Sequence, residues 1–102
     1  MTLEDFLNIS GSYRIQHRIL EPGINGEPRA GIICPNCWTI YLDPTRNEDS
    51  VTLVHEVLHH YHSFVCYDRA SESEIESEAQ SFYAHYGKII DSYLKKRLEV
   101  VG

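Results

Sequence analysis

The sequence predicts an α+β fold in one domain: a small antiparallel three-stranded sheet packed on a histidine-bearing helix and a long, glutamate-rich C-terminal helix. Three observations predict it. Short alternating apolar stretches fill residues 13–43, a largely apolar run with helical spacing follows at 50–64, and helical spacing resumes near Ser71 or Ser73 and continues to about Arg97. A chain of 102 residues suffices for one modest core.

The elements follow in order. Thr2 with Asp5 has the form of a capping box, and Leu3, Phe6 and Leu7 share a face, so a short helix is expected over 2–9, ended by Gly11. "SYRIQHRIL" alternates, with Tyr13, Ile15 and Ile19 on one side, as in a half-buried strand. "EPGINGEP" is loop chemistry. "RAGIIC" and "CWTIYLD" read as two strands joined at Pro35-Asn36. The polar "DPTRNEDS" supplies Asp49 or Ser50 as N-cap of the helix over 50–64. In the last helix Ile75, Ala79, Phe82, Tyr86, Ile89, Ile90 and Tyr93 recur at helical spacing.

Composition narrows the function. A formal net charge of −6, with nine basic residues that form no stripe, argues against a nucleic-acid partner. No apolar run approaches the roughly 20 residues that span a bilayer, and the acidic N-terminus "MTLEDFLNIS" does not have the form of a signal peptide. A cytoplasmic location is the expectation. Cys34 and Cys37, in "CPNC", are expected as a reversible hairpin disulfide or as two reduced thiols in a turn. Half of a zinc knuckle completed by another chain is the remaining use. Cys66 is expected as a buried thiol.

The chemistry lies in "VTLVHEVLHHYHSF", Val51–Phe64, which contains the HExxH motif His55, Glu56 and His59. Residues four apart stack on one helix face, so two imidazoles can share one ion, while Glu56, rotated by about 100°, projects beside it. A chain of this composition contains such a pentapeptide by chance about 0.05 times, so context decides. Val51, Val54, Val57, Leu58 and Tyr61 make most of the helix apolar and leave the motif face as the polar exception. His60 and His62 are not at the angle to join the pair; His62, one turn on, either packs or touches substrate.

A catalytic zinc takes three protein ligands and keeps one open position. Glu72, Glu74, Glu76 and Glu78 crowd the first turns of the last helix, where acidic residues also suit the helix dipole. Glu76 falls on the flank shared with Tyr83, Ile90 and Leu94 and is the expected third ligand, with His85 and Glu78 as alternatives. Tyr83 is a candidate donor to a developing oxyanion, and "CWTIYLD" a candidate sheet edge for an extended substrate.

With "HEVLH" on one helix and "ESEAQSFYA" on the next, the sequence resembles the gluzincin metallopeptidases, and by size the minigluzincins, over residues 38–86. The resemblance implies a small sheet above an active-site helix, a zinc cleft, and a following glutamate helix. Within its signature the first glutamate binds zinc, here Glu76. The residue four positions on supports the first histidine; here it is Gln80, where the family has Asp or Asn. The resemblance also implies a latent form in which the C-terminal segment, residues 98–102, occupies the cleft or mediates self-association. The function expected is a Zn2+-dependent endopeptidase acting on peptide or protein substrates, with Glu56 as general base. The alternatives are a metal-binding or regulatory module on the same fold, and a zinc hydrolase acting on another bond.

Overall fold

A computed structural model describes residues 1–99. Helix α1 (Leu3–Gly11) is followed by strand β1 (Arg14–His17), strand β2 (Gly31–Cys34), strand β3 (Thr39–Leu42), helix α2 (Asp49–His60), helix α3 (Glu72–Arg97) and a two-residue strand β4 (Leu98–Glu99). The α+β class is as the sequence predicts. The predicted capping box starts α1: the Asp5 amide donates to Thr2 Oγ1 and the Thr2 amide to Asp5 Oδ2, each at 3.0 Å.

The sheet is mixed, not antiparallel. Its order is β2-β3-β1-β4, with β2 antiparallel to β3 and β1 parallel to both β3 and β4. The long loop after β1 is the reason. It carries the chain past the position of β3 before β2 begins, and the tight turn at Pro35–Cys37 then returns β3 alongside β1. The strand expected to offer a free edge, β3, is therefore interior, and β2 is the edge. Because β1 stops at His17, Ile19 is 73% exposed instead of lying beside Tyr13 and Ile15.

One core joins Phe6, Ile15, Ile40, Leu42, Leu53, Val54, Val57, Leu58, Ile75, Ala79, Ile90 and Leu94. It lies between the sheet and the helices, and α2 is enclosed on every side except that of the motif. Two helix boundaries differ from expectation. The N-cap of α2 is Glu48, without a side-chain cap bond; the two expected caps lie within the helix and are engaged elsewhere, Asp49 with His17 Nε2 at 2.7 Å and the Ser50 hydroxyl with Asp91 at 2.5 Å. Past His60 the chain widens into one π-turn, Tyr61–Val65, closed by the Cys66 amide on the Tyr61 carbonyl. From the middle of this turn onward, residues 63–69 are exposed, so Cys66 is exposed instead of buried. Cys34 and Cys37 form a disulfide across the hairpin turn.

Ser71 caps α3 by accepting the Glu74 amide at 3.2 Å. The helix breaks at Tyr86 (φ −118°, ψ 16°). Its far arm is tied to the N-terminal elements: the Arg97 guanidinium donates to the Tyr13 carbonyl at 2.6 Å and to the Tyr93 hydroxyl, which in turn meets Ser10 Oγ at 2.8 Å. Of the segment expected to form a latency tail, Leu98 and Glu99 pair with β1 at the sheet edge opposite β2; residues 100–102 lie outside the described residues. No described helix is long and apolar enough to cross a membrane.

Asp43 anchors the loop over the sheet. Its carboxylate accepts from the Thr45 hydroxyl (2.6 Å), the Thr45 amide (2.9 Å) and the Leu20 amide (3.0 Å), which hold the carboxyl below its usual range. Asp43→Asn is expected to lower the thermal midpoint at neutral pH. A carboxyl with a depressed folded pKa adds stability that is present above its unfolded value of 3.8 and is lost as pH falls through the folded one. Melting curves on acidification should therefore fall less steeply for the variant than for the wild type.

Candidate metal centre

The site begins with α2. Beside its buried residues Thr52, Leu53, Val54, Glu56, Val57 and Leu58, the half-buried His55 and His59 meet acidic side chains of α3. Their rings lie one turn apart with centroids at 5.0 Å. The His55 and His59 side chains are 17% and 31% exposed, against 73% for Glu72, so the imidazoles form the floor and the acid covers them.

It is Glu72 that faces both histidines. Its Oε1 lies 2.9 Å from His59 Nε2 and its Oε2 3.1 Å from His55 Nε2. One ligand atom from each of His55, His59 and Glu72 falls within 4.8 Å of the others, the one such group of three His, Cys, Asp or Glu among the described residues. Glu76, the ligand expected from the sequence, is placed one turn further along. Its Oε2 meets His55 Nδ1 at 2.7 Å, and its Oε1 accepts from the Gln80 side-chain Nε2 at 2.9 Å. Gln80 thus acts on the imidazole through Glu76, not directly. The Gln80 and His55 bonds hold the Glu76 carboxyl below its usual range. A hydrogen bond from His55 Nδ1 to Glu76 would leave Nε2 available to ligate an ion held between it and Glu72.

The remaining expected residues lie elsewhere. Glu78 bonds His62 Nε2 at 3.1 Å, and Asp68 takes His62 Nδ1 at 2.7 Å, so His62 ties the π-turn to α3. His85 is exposed and packs on Tyr86. It is thirteen residues along α3 from Glu72, roughly 20 Å at the helical rise. The Tyr83 hydroxyl donates to Asp91, near Ser50 at the start of α2, so it does not reach the histidine pair as an oxyanion donor.

Glu56 is 8% exposed, wedged between α2 and β2. Burial raises its carboxyl to about 7; Glu72 adds to the effect, while His55, the Ile33 amide and Arg29 oppose it. A carboxyl poised there suits proton transfer near neutral pH. Burial also lowers His59, against the pull of Glu72, which favours the neutral imidazole that a metal requires. Gly31 permits the close approach of β2. A Cβ there would lie 2.5 Å from Thr52 Cγ2 and 3.3 Å from Glu56 Cγ.

A cavity of about 540 Å3 opens over these groups, bounded by the loop before β2 and by Arg29, Glu48, His55, Glu56, His59, Glu72 and Glu76. A second, of about 360 Å3, shares Glu56 and His59 as its wall and continues toward Phe64. Together they run along β2, past both ends of the motif.

Sequence reasoning missed Glu72 and Gly31. The angle of Glu72 on the helical wheel, about 60° from Ile75, is as suitable as that of Glu76 at about 100°. Periodicity gives the face and not the turn, and the turn is set by the connection from His60 to Ser71. The spacing of four between Glu72 and Glu76 was the available signal. Comparison with models of known families, with curated proteins and with solved structures finds no match.

Two outcomes test the geometry. In chelated protein, Glu56→Gln should raise stability at pH 7 relative to the wild type, on the order of 3 kcal/mol at most. A raised carboxyl costs nothing below its unfolded value of 4.5, and the cost grows as pH climbs to about 7, so the gain should vanish in mild acid. Gly31→Ala should destabilise by about 1–3 kcal/mol, the range for overpacking, as read by denaturant titration.

Proposed function

We propose that the chain is a zinc-dependent peptidase of gluzincin type in which His55, His59 and Glu72 hold the ion and Glu56 is the general base. One observation carries this reading: a single carboxylate spans both Nε2 atoms of an HExxH pair, while the motif glutamate stands buried beside them. The donor set fits the metal. Two imidazoles and one carboxylate, leaving a fourth position open, match the His2Glu set of catalytic zinc. Glu76 supports the fit by fixing the His55 tautomer. The family relation of a glutamate ligand followed four residues later by the partner of the first histidine is met by Glu72 and Glu76, one turn before the expected pair.

When bound, zinc supplies Lewis acidity, making water more acidic and a carbonyl more electrophilic. The chain supplies the rest. Glu56 accepts the proton of the attacking water and returns it to the leaving amine nitrogen, which needs a carboxyl able to hold and release a proton near neutrality. Its burial provides that. The outer edge of β2, apart from the Ile33 amide held by Glu56, offers main-chain groups to an extended peptide laid along the cleft. Arg29, Glu27 and Glu48 line the cavity beside Glu72 and make that half of the cleft polar.

Metal analysis of purified protein should find about one zinc per chain. His59→Ala and Glu72→Ala should each abolish binding, whereas Glu76→Ala should weaken it by about 10–100-fold, the usual effect of losing a partner that orients a ligand. A larger loss for Glu76→Ala than for Glu72→Ala would reverse the two assignments. Glu56→Gln should retain zinc and lose cleavage of a fluorogenic peptide; full turnover by that variant would remove Glu56 from the chemistry.

A further inference from the structure

The two halves of the cleft differ in chemistry. On the Gly31 side the wall is charged, with Glu27, Arg29, Glu48, Glu72 and Glu76. On the Cys34 side the cavity of about 360 Å3 is walled by Ile33 from the edge strand, Pro35 from the turn after it, and His60, Ser63 and Phe64 from α2 and the π-turn. Phe64 is 51% exposed. The extra residue of the π-turn sets its position, with its ring against His60 at 4.9 Å. His60 brings no free Nδ1 to the cavity, because that atom meets the Tyr13 hydroxyl at 2.7 Å. Trp38, 52% exposed, also neighbours that imidazole, with ring centroids 6.4 Å from it and 5.1 Å from Tyr13.

Phe64, Val65 and Tyr67 expose a run of large apolar side chains at and just beyond the bulge, and π-turns are frequent at functional sites. Here the bulge and the edge strand face each other across a pocket that opens directly onto Glu56 and His59. Its volume is near the lower end of small-ligand pockets, about 300 Å3, and suits one large side chain.

We infer that the Ile33–Pro35–Phe64 cavity is the specificity pocket of the peptidase proposed above, receiving a large apolar or aromatic side chain of the residue that precedes the scissile bond. The side of the bond follows from the strand. A peptide paired antiparallel to β2, the more stable arrangement per residue, has its N-terminal half over the Cys34 end. The continuity of the pocket with Glu56 and His59 fixes its occupant as part of a substrate and not a separate ligand. The inference rests on the peptidase reading, and its test separates the two.

Two measurements are needed. Zinc-loaded wild type is incubated with a randomised peptide mixture, and the new C-termini are identified by mass spectrometry. Phe, Leu, Tyr or Met should be enriched there at least about tenfold over Ala, the scale of discrimination by an apolar pocket. Phe64→Ala, a change at an exposed position, should reduce that ratio several-fold. Zinc-loaded Glu56→Gln is then titrated with paired Phe and Ala peptides, reading the fluorescence of Trp38, the sole tryptophan. The Phe peptide should bind more tightly, and Phe64→Ala in that background should remove the difference. Cleavage without preference at that position, preference only after the bond, or equal binding of the two peptides overturns the pocket assignment and leaves the peptidase standing. Absence of cleavage from every peptide overturns the peptidase, and the pocket assignment with it.

Discussion

The close approach of β2 to α2 at Gly31 is the constraint on which the site depends. A single missing Cβ lets the edge strand lie against the turn containing Thr52 and Glu56. That contact removes water from the Glu56 carboxyl, which is why it remains protonated to nearly neutral pH. The same contact brings the Ile33 amide to the carboxylate and aligns the free edge of the sheet with the histidine pair. Were β2 held back by one methyl group, the acid would be better hydrated, the cleft wider and the edge displaced together. The buried acid and the placement of the edge strand are thus one packing decision, made by a residue with no chemistry of its own.

The second organising element is a chain of polar contacts from α3 into α2. Gln80 holds Glu76, Glu76 holds His55, and Glu72 bridges His55 and His59. All three members from α3 lie four residues apart, so one helix face supplies the bridging carboxylate, its neighbour and that neighbour's support. The apolar stripe of Ile75, Ala79, Ile90 and Leu94 seats this face by burying the adjacent one. Orientation of the imidazoles is therefore a consequence of how α3 packs, and the π-turn with its His62 anchor to Asp68 and Glu78 sets where along α2 the helix begins.

Much of this was legible in the sequence. The period of 3.6 identified α2 and α3, the capping box identified α1, and the spacing of His55 and His59 identified the paired imidazoles, because each signal is local. What failed was whatever depends on how distant segments meet. Parallel pairing of β1 with β3 depends on where a loop of thirteen residues deposits β2, which its Gly and Pro content does not encode. The choice between Glu72 and Glu76 is a translation along one helix, and helical angles do not distinguish translations of one turn. Cys66 was misjudged for a related reason: the widening of the chain after His60 ends the buried face two residues early. Gly31 resembled an ordinary strand glycine, and only its partners across the interface reveal its role.

The sheet has two edges, β2 and β4. Among the described residues β4 contributes two residues to one, whereas β2 contributes four to the other. β2 lies at the mouth of the cleft. Whatever docks there, a substrate or a second copy of the chain, occludes the same opening, so growth of the sheet and access to the histidine pair are mutually exclusive.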